Sequence, residues 1–120
     1  MRKTLLIVED EPPIVQFLEN YLLPSYDLDT FESAEDAQEN FEIGKYAVAL
    51  IDIRLKKKSG TVLQNQIGRL DSRLVCIGMT GYAIEEAESE EFDFFLEKPF
   101  SIEEFDETLH AALQLHEMKF

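Results

Sequence analysis

Short apolar runs alternate with amphipathic segments along this chain, and that alternation constrains its fold more than any other feature. The runs are Leu5-Leu6-Ile7-Val8, the weaker Leu28 to Phe31, Ala47-Val48-Ala49-Leu50-Ile51, Leu74 to Met79, and Phe92 to Leu96. Runs this short and this apolar suit strands covered on both faces, and strands alternating with helices build a parallel sheet. Such sheets bind ligands beyond the carboxyl ends of their strands. Polar groups stand at those ends here: Glu9 and Asp10, then Asp52, Thr80 and Lys98-Pro99. The spacing therefore predicts that these groups gather at one edge of the sheet.

The segments between the runs have helical signals. Pro12 and Pro13 can open a first helix, because a missing N–H costs little there. Ile14, Phe17, Leu18, Tyr21 and Leu22 recur along it at helical spacing until Pro24 stops it. Ser33, with Asp36 three residues on, is a cap for a short helix that holds Ala34, Ala37 and Phe41 inward and ends at Gly44. Val62, Leu63 and Ile67 mark a third helix. Ser101-Ile102-Glu103-Glu104 is a capping box, and Ile102, Phe105, Leu109, Ala112 and Leu113 form the buried stripe of the last helix. Ala47 to Ile51 is the most hydrophobic run, so the central strand is expected there.

The 120 residues suit one domain, read as 1–120. A formal charge of −14, from 25 acids against 11 Lys and Arg, argues against direct nucleic-acid binding. No stretch is long and apolar enough to span a membrane, and Glu9 interrupts the first apolar run too early for a signal peptide. These features point to a cytoplasmic protein. Cys76 is alone, within an apolar run, and reads as a buried inert thiol.

Three acids, a hydroxyl and a lysine at one edge suit phosphoryl chemistry on an aspartate. Asp52 is a competent nucleophile toward phosphorus, giving an acyl phosphate. Its charge repels the incoming group, so a cation is needed. Glu9 and Asp10 beside Asp52 suit Mg²⁺, with Mn²⁺ as an alternative, and a backbone carbonyl just after Asp52 completes the protein ligands. The ammonium of Lys98 can pair with a phosphoryl oxygen or neutralise the acids before modification, and the Thr80 hydroxyl can donate to the phosphoryl group. Pro99 sets the conformation of the loop that aims Lys98. Capped turns are the plainer reading of any one of these residues alone, but not of the whole ordered set.

The segments Leu-Ile-Val-Glu-Asp-Glu-Pro (6–12), Ile-Asp-Ile-Arg-Leu (51–55) with Gly60, Met-Thr-Gly-Tyr (79–82) and Leu-Glu-Lys-Pro-Phe (96–100) together resemble a response-regulator receiver domain. The resemblance spans nearly the whole chain. It implies a doubly wound, flavodoxin-like (βα)₅ fold with a five-stranded parallel sheet. It also implies phosphorylation of Asp52 by a histidine kinase or histidine phosphotransfer protein, followed by altered binding of an unknown downstream protein. Glu9 and Asp10 match the acidic pair for Mg²⁺, and Arg54 the residue giving its carbonyl. Thr80 and Lys98 match the phosphoryl-contacting positions, and Phe95 the aromatic switch that turns inward as the threonine moves. On this reading the chain is a single-domain regulator, a monomer or weak dimer, and not an enzyme beyond its own phosphorylation and dephosphorylation.

Four departures accompany the resemblance. Lys56 stands where proline is frequent in the loop after the phosphorylated aspartate, and Lys57 and Lys58 extend the basic run, as a solvated loop or a positive lip that steers an acidic partner or phosphodonor. Arg54 and Tyr82 flank the path of attacking water and would modulate the lifetime of the acyl phosphate. Phe95 lacks a phenol hydroxyl. The segment from Thr80 to Lys98 is short by about one helical turn. Only Ile84 and Ala87 anchor it, so a stunted or irregular fourth helix is expected. Thr-Gly-Tyr resembles a receiver subgroup with a reduced fourth helix, although Gly78-Met79 departs from its motif. The alternative function is a phosphorylation-independent interaction module. An aspartyl phosphatase is disfavoured by Arg54, which stands where a second aspartate is required, and a flavodoxin by the absence of a phosphate loop after the first strand.

Overall fold

A computed structural model describes residues 2–55, 59–81 and 92–119. In chain order the elements are β1 (Thr4–Val8), α1 (Pro12–Leu22), β2 (Asp27–Phe31), α2 (Ala34–Asn40), β3 (Val48–Asp52), α3 (Gly60–Leu70), β4 (Val75–Thr80), β5 (Phe94–Glu97) and α4 (Ile102–Met118). All pairings are parallel, in the order β2-β1-β3-β4-β5. This is the expected doubly wound, five-stranded parallel sheet. The apolar run 47–51 falls in the central strand, and the polar-alternating run 28–31 lies at an edge.

The pleat divides each apolar run between two cores. Leu5, Ile7, Val48 and Leu50 pack with Leu18 and Leu22 of α1 and with Phe105, Leu109 and Ala112 of α4. Leu6, Val8, Ala49 and Ile51 face the other way, against Ala34 and Ala37 of α2 and Leu63 and Ile67 of α3. Burial on both faces explains why these strands carry no polar alternation. The order reverses between β1 and β3, and their carboxyl ends flank that switch point.

Local signals place the helix starts. Ser33, Ser59 and Ser101 each accept a hydrogen bond from a main-chain N–H three residues on, at Asp36, Val62 and Glu104. Two details differ from expectation. Helix α2 ends at Asn40, not at Gly44, which instead takes a left-handed φ of 83° in the following loop. Ile102 is 48% exposed, so it does not belong to the buried stripe of the last helix. Ile102 is the first residue of α4, where the helix has not yet reached the sheet. The expected fourth helix, with Ile84 and Ala87, and the Lys56–Lys58 loop lie outside the described residues.

Candidate functional site: a carboxylate cluster closed by Lys98

Strand β1 runs directly into Glu9, whose residue is fully buried, and β3 ends on Asp52, only 3% exposed. The two strands pair in register, Val8 opposite Ile51, so the acids that follow are brought side by side. Carboxylate oxygens of Glu9, Asp10, Glu11 and Asp52 all lie within 4.8 Å of one another. Glu9 Oε2 accepts the main-chain N–H groups of Asp10 and Glu11, both at 3.1 Å, which tethers the bend after β1. Asp52 Oδ1 accepts the N–H of Arg54 at 2.9 Å, leaving Oδ2 toward Lys98.

Lys98 closes the cluster. Its Nζ lies 2.8 Å from Glu9 Oε1, 3.2 Å from Glu11 Oε1 and 3.5 Å from Asp52 Oδ2. The Lys98 N–H donates to the Thr80 carbonyl at 2.7 Å, so the end of β4 holds the loop after β5. The Lys98-Pro99 peptide bond is cis. Burial opposes the ammonium, but Glu9, Asp52 and Glu11 together outweigh it and raise the Lys98 pKa above its usual value. Burial pushes the Glu9 carboxyl up to about 7, with Asp52 adding to the rise and Lys98 opposing it.

The donor set fits a small hard cation. It is all oxygen, and Glu9 Oε1 is buried with no hydrogen bond, its close neighbour being the ammonium as an ion pair. Two buried acids, Glu9 and Asp52, beside Asp10 and Glu11 raise one another's energy unless positive charge accompanies them.

Other residues take the places their segments imply. Thr80 is buried at the end of β4. Arg54 is exposed just beyond Asp52, and Pro99 is exposed in the loop. Phe95 is half-buried, packed edge-on against Phe92 with ring centroids 5.5 Å apart. Tyr82 lies outside the described residues. Gly60 is required by a close approach: a Cβ there would stand 2.2 Å from the Asp52 carbonyl oxygen. The sequence reading passed over Glu11. Its signal was the following Pro12, which restricts the preceding residue to extended backbone. Glu11 adopts φ −92° and ψ 110°, and its side chain reaches Lys98.

Residues 5–110 match the family described as the response regulator receiver domain. The chain belongs to that family. Among curated relatives, this receiver is 26% identical over 115 residues to the transcriptional regulatory protein RprY of Bacteroides fragilis, covering 92% of this chain and 49% of the relative. It is 29% identical over 120 residues to the transcriptional regulatory protein TdiR of Thauera aromatica, covering 94% and 52%. The receiver thus spans about half the length of these relatives. Among solved structures, the response regulator TrrA of Thermotoga maritima, in complex with Mg²⁺-BeF, is 29% identical with a TM-score of 0.84 over 92% of this chain and 99% of that one. A CheY-like receiver of Methanospirillum hungatei is 25% identical with a TM-score of 0.89, covering 98% of both chains. Two-component signalling is the setting of the family. No helix among the described residues is long and apolar enough to cross a membrane.

Proposed function

We propose that Asp52 of this receiver accepts a phosphoryl group from a phosphohistidine on a histidine kinase or histidine phosphotransfer protein, and that the modified form alters binding to a downstream protein. The observation that carries this reading is the pairing of Asp52 with Lys98 inside a cluster of carboxylates at the switch point of the sheet. Glu9, Asp10, Asp52 and the Arg54 carbonyl would hold Mg²⁺, or Mn²⁺ in its place. When bound, the cation neutralises the acids and stabilises negative charge on the transferring group.

The chain's own residues do the rest. The N–H of Arg54 fixes one oxygen of Asp52, and the other attacks phosphorus in line with the departing nitrogen. The P–N bond breaks, and its electron pair leaves with an imidazole whose other nitrogen carries a proton. Lys98 then moves from its carboxylate partners to a phosphoryl oxygen, and the Thr80 hydroxyl donates to another. Phe95, packed on Phe92 beside β4, responds to that displacement of Thr80. Arg54, exposed just beyond Asp52, sets how readily water attacks the acyl phosphate.

A groove of ≈ 690 Å³ leads to Asp52 between α1 and the loop after β5, walled by Pro13, Ile14, Phe17 and Phe100. Its apolar walls suit a protein donor that excludes water from the transfer. The chain acts in the cytoplasm as a monomer or weak dimer, and its only catalysis is its own phosphorylation and dephosphorylation. Intact mass after incubation with acetyl phosphate and Mg²⁺ tests the reading. One added phosphoryl group, absent without Mg²⁺ and absent in Asp52→Ala, is expected. No gain with either acetyl phosphate or a phosphohistidine protein would replace this reading with phosphorylation-independent binding.

A further inference from the structure

Glu11 occupies the N-cap position of α1 but makes no side-chain capping hydrogen bond. The reason lies in the two residues that follow. A cap accepts from the second or third helical N–H. Pro13 has none to give, and the N–H of Ile14 is already bonded to the Glu11 carbonyl at 3.0 Å. The carboxylate is therefore released from the helix, and it pairs with Lys98 at 3.2 Å instead. Its side chain is 60% exposed and lines the groove that leads to Asp52. Glu9 and Asp52, by contrast, are buried behind it.

We propose that Glu11 is a specificity-determining residue for the phosphodonor, selecting against small dianionic donors and in favour of donors that leave through a cationic nitrogen. This inference rests on Asp52 being the phosphoryl acceptor. Two effects act together. The Glu11 carboxylate adds negative potential at the groove mouth, where the donor must enter. It also competes for the Lys98 ammonium, which a phosphoryl oxygen must otherwise win from Glu9 and Glu11 together.

The two small donors that separate these effects differ in charge. With acetyl phosphate, Asp52 attacks a dianion, the P–O bond breaks and acetate leaves with the electron pair. With phosphoramidate, a net monoanion bearing an ammonium nitrogen, the P–N bond breaks and neutral ammonia leaves. The second reaction resembles transfer from a protonated phosphohistidine, and the field of Glu11 penalises it less.

The test compares phosphorylation rates of the parent, Glu11→Gln and Glu11→Asp with both donors at saturating Mg²⁺, at low and high salt. Glu11→Gln is expected to speed acetyl phosphate roughly three- to tenfold, as an extra unit charge at a partly exposed site would. Phosphoramidate should change less than half as much, and Glu11→Asp should restore most of the parent's preference. At about 0.5 M salt the acetyl phosphate gain should shrink, because screening weakens a field at an exposed mouth. Mg²⁺ affinity, read by calorimetry, should fall less than tenfold in Glu11→Gln, unlike in Asp10→Asn. Equal changes with both donors would overturn the proposal. So would slowing with both donors together with a loss of Mg²⁺ affinity matching Asp10→Asn, which would make Glu11 a metal ligand. If the parent is phosphorylated by neither donor while still binding Mg²⁺, the acceptor role of Asp52 fails first and this inference with it.

Discussion

Replacing Gly60 with alanine puts a methyl group into space that the main chain of β3 already fills. The added Cβ would stand 2.2 Å from the Asp52 carbonyl oxygen and 2.8 Å from Ile51 Cγ2. Ordinary contact needs about 3.4 Å, so something must move by roughly 1 Å. The obstacle is backbone, not the far end of a flexible side chain. The start of α3 is also held, by the Gly60 N–H on the Ile53 carbonyl at 2.9 Å and by the Ser59 cap on Val62 at 3.2 Å. Overpacking of this kind costs about 1–3 kcal/mol, from which the better helix propensity of alanine recovers up to about 1. Because the obstacle is main chain, the cost lies at the upper end, about 3 kcal/mol. The remaining net loss of about 2 kcal/mol should lower Tm by roughly 6–12 °C in a domain of this size. Thermal unfolding followed by circular dichroism measures it, with Gly81→Ala as control, since a Cβ there meets nothing within 4 Å. A Gly60→Ala protein melting within about 2 °C of the parent would refute the argument that β3 and α3 touch at this point.

Three further outcomes follow from the same geometry. In metal-free protein, Glu9 has its carboxyl raised to about 7, so the folded state keeps a proton that the unfolded chain releases near 4.5. Its contribution to stability is full below about 4.5 and is lost as pH rises through about 7; Glu9→Gln should flatten that slope, and saturating Mg²⁺, which needs the carboxylate, should reverse it. Urea titrations across this range with and without chelator decide the matter, and an unchanged slope in Glu9→Gln would count against it. Ser101→Ala removes the cap on Glu104 N–H and should cost about 1 kcal/mol in a urea melt, with no effect on Mg²⁺ affinity. Burial raises the Cys76 thiol to about 12, so a thiol reagent at neutral pH should label it only at the rate of unfolding, and fast labelling of folded protein would contradict its position in β4.

The outcomes at individual residues separate what is local from what is not. Ser33, Ser59 and Ser101 act within their own helices, across three residues, so the two caps at Ser33 and Ser101 could be read directly from spacing. The runs of β1, β3 and β4 were legible because burial on both faces leaves no charged residue within them, and the polar group at the carboxyl end of each is a property of the chain itself. Gly44 misled the reading of α2 because left-handed backbone suits a loop as well as a helix end, and nothing in the local sequence distinguishes them. Ile102 misled it for another reason: an apolar side chain at helical spacing is buried only if the helix is already against the sheet at that point.

The sequence by itself determined the type of sheet, the strand that lies at its centre, and the identity of the acids, hydroxyl and lysine at its carboxyl edge. These follow from patterns of two to four residues and from the rule that parallel strands end together. Only the tertiary structure decided how the charge is shared. Lys98 is 87 residues from Glu11 and 46 from Asp52 along the chain, and its ammonium reaches both because β1, β3 and β5 end at one edge. The need for Gly60 arises in the same way, from main chain of β3 meeting the start of α3. So does Gly78, whose missing Cβ would stand 3.1 Å from the Phe92 ring. Distances between segments far apart in sequence are set by packing, and no local pattern encodes them.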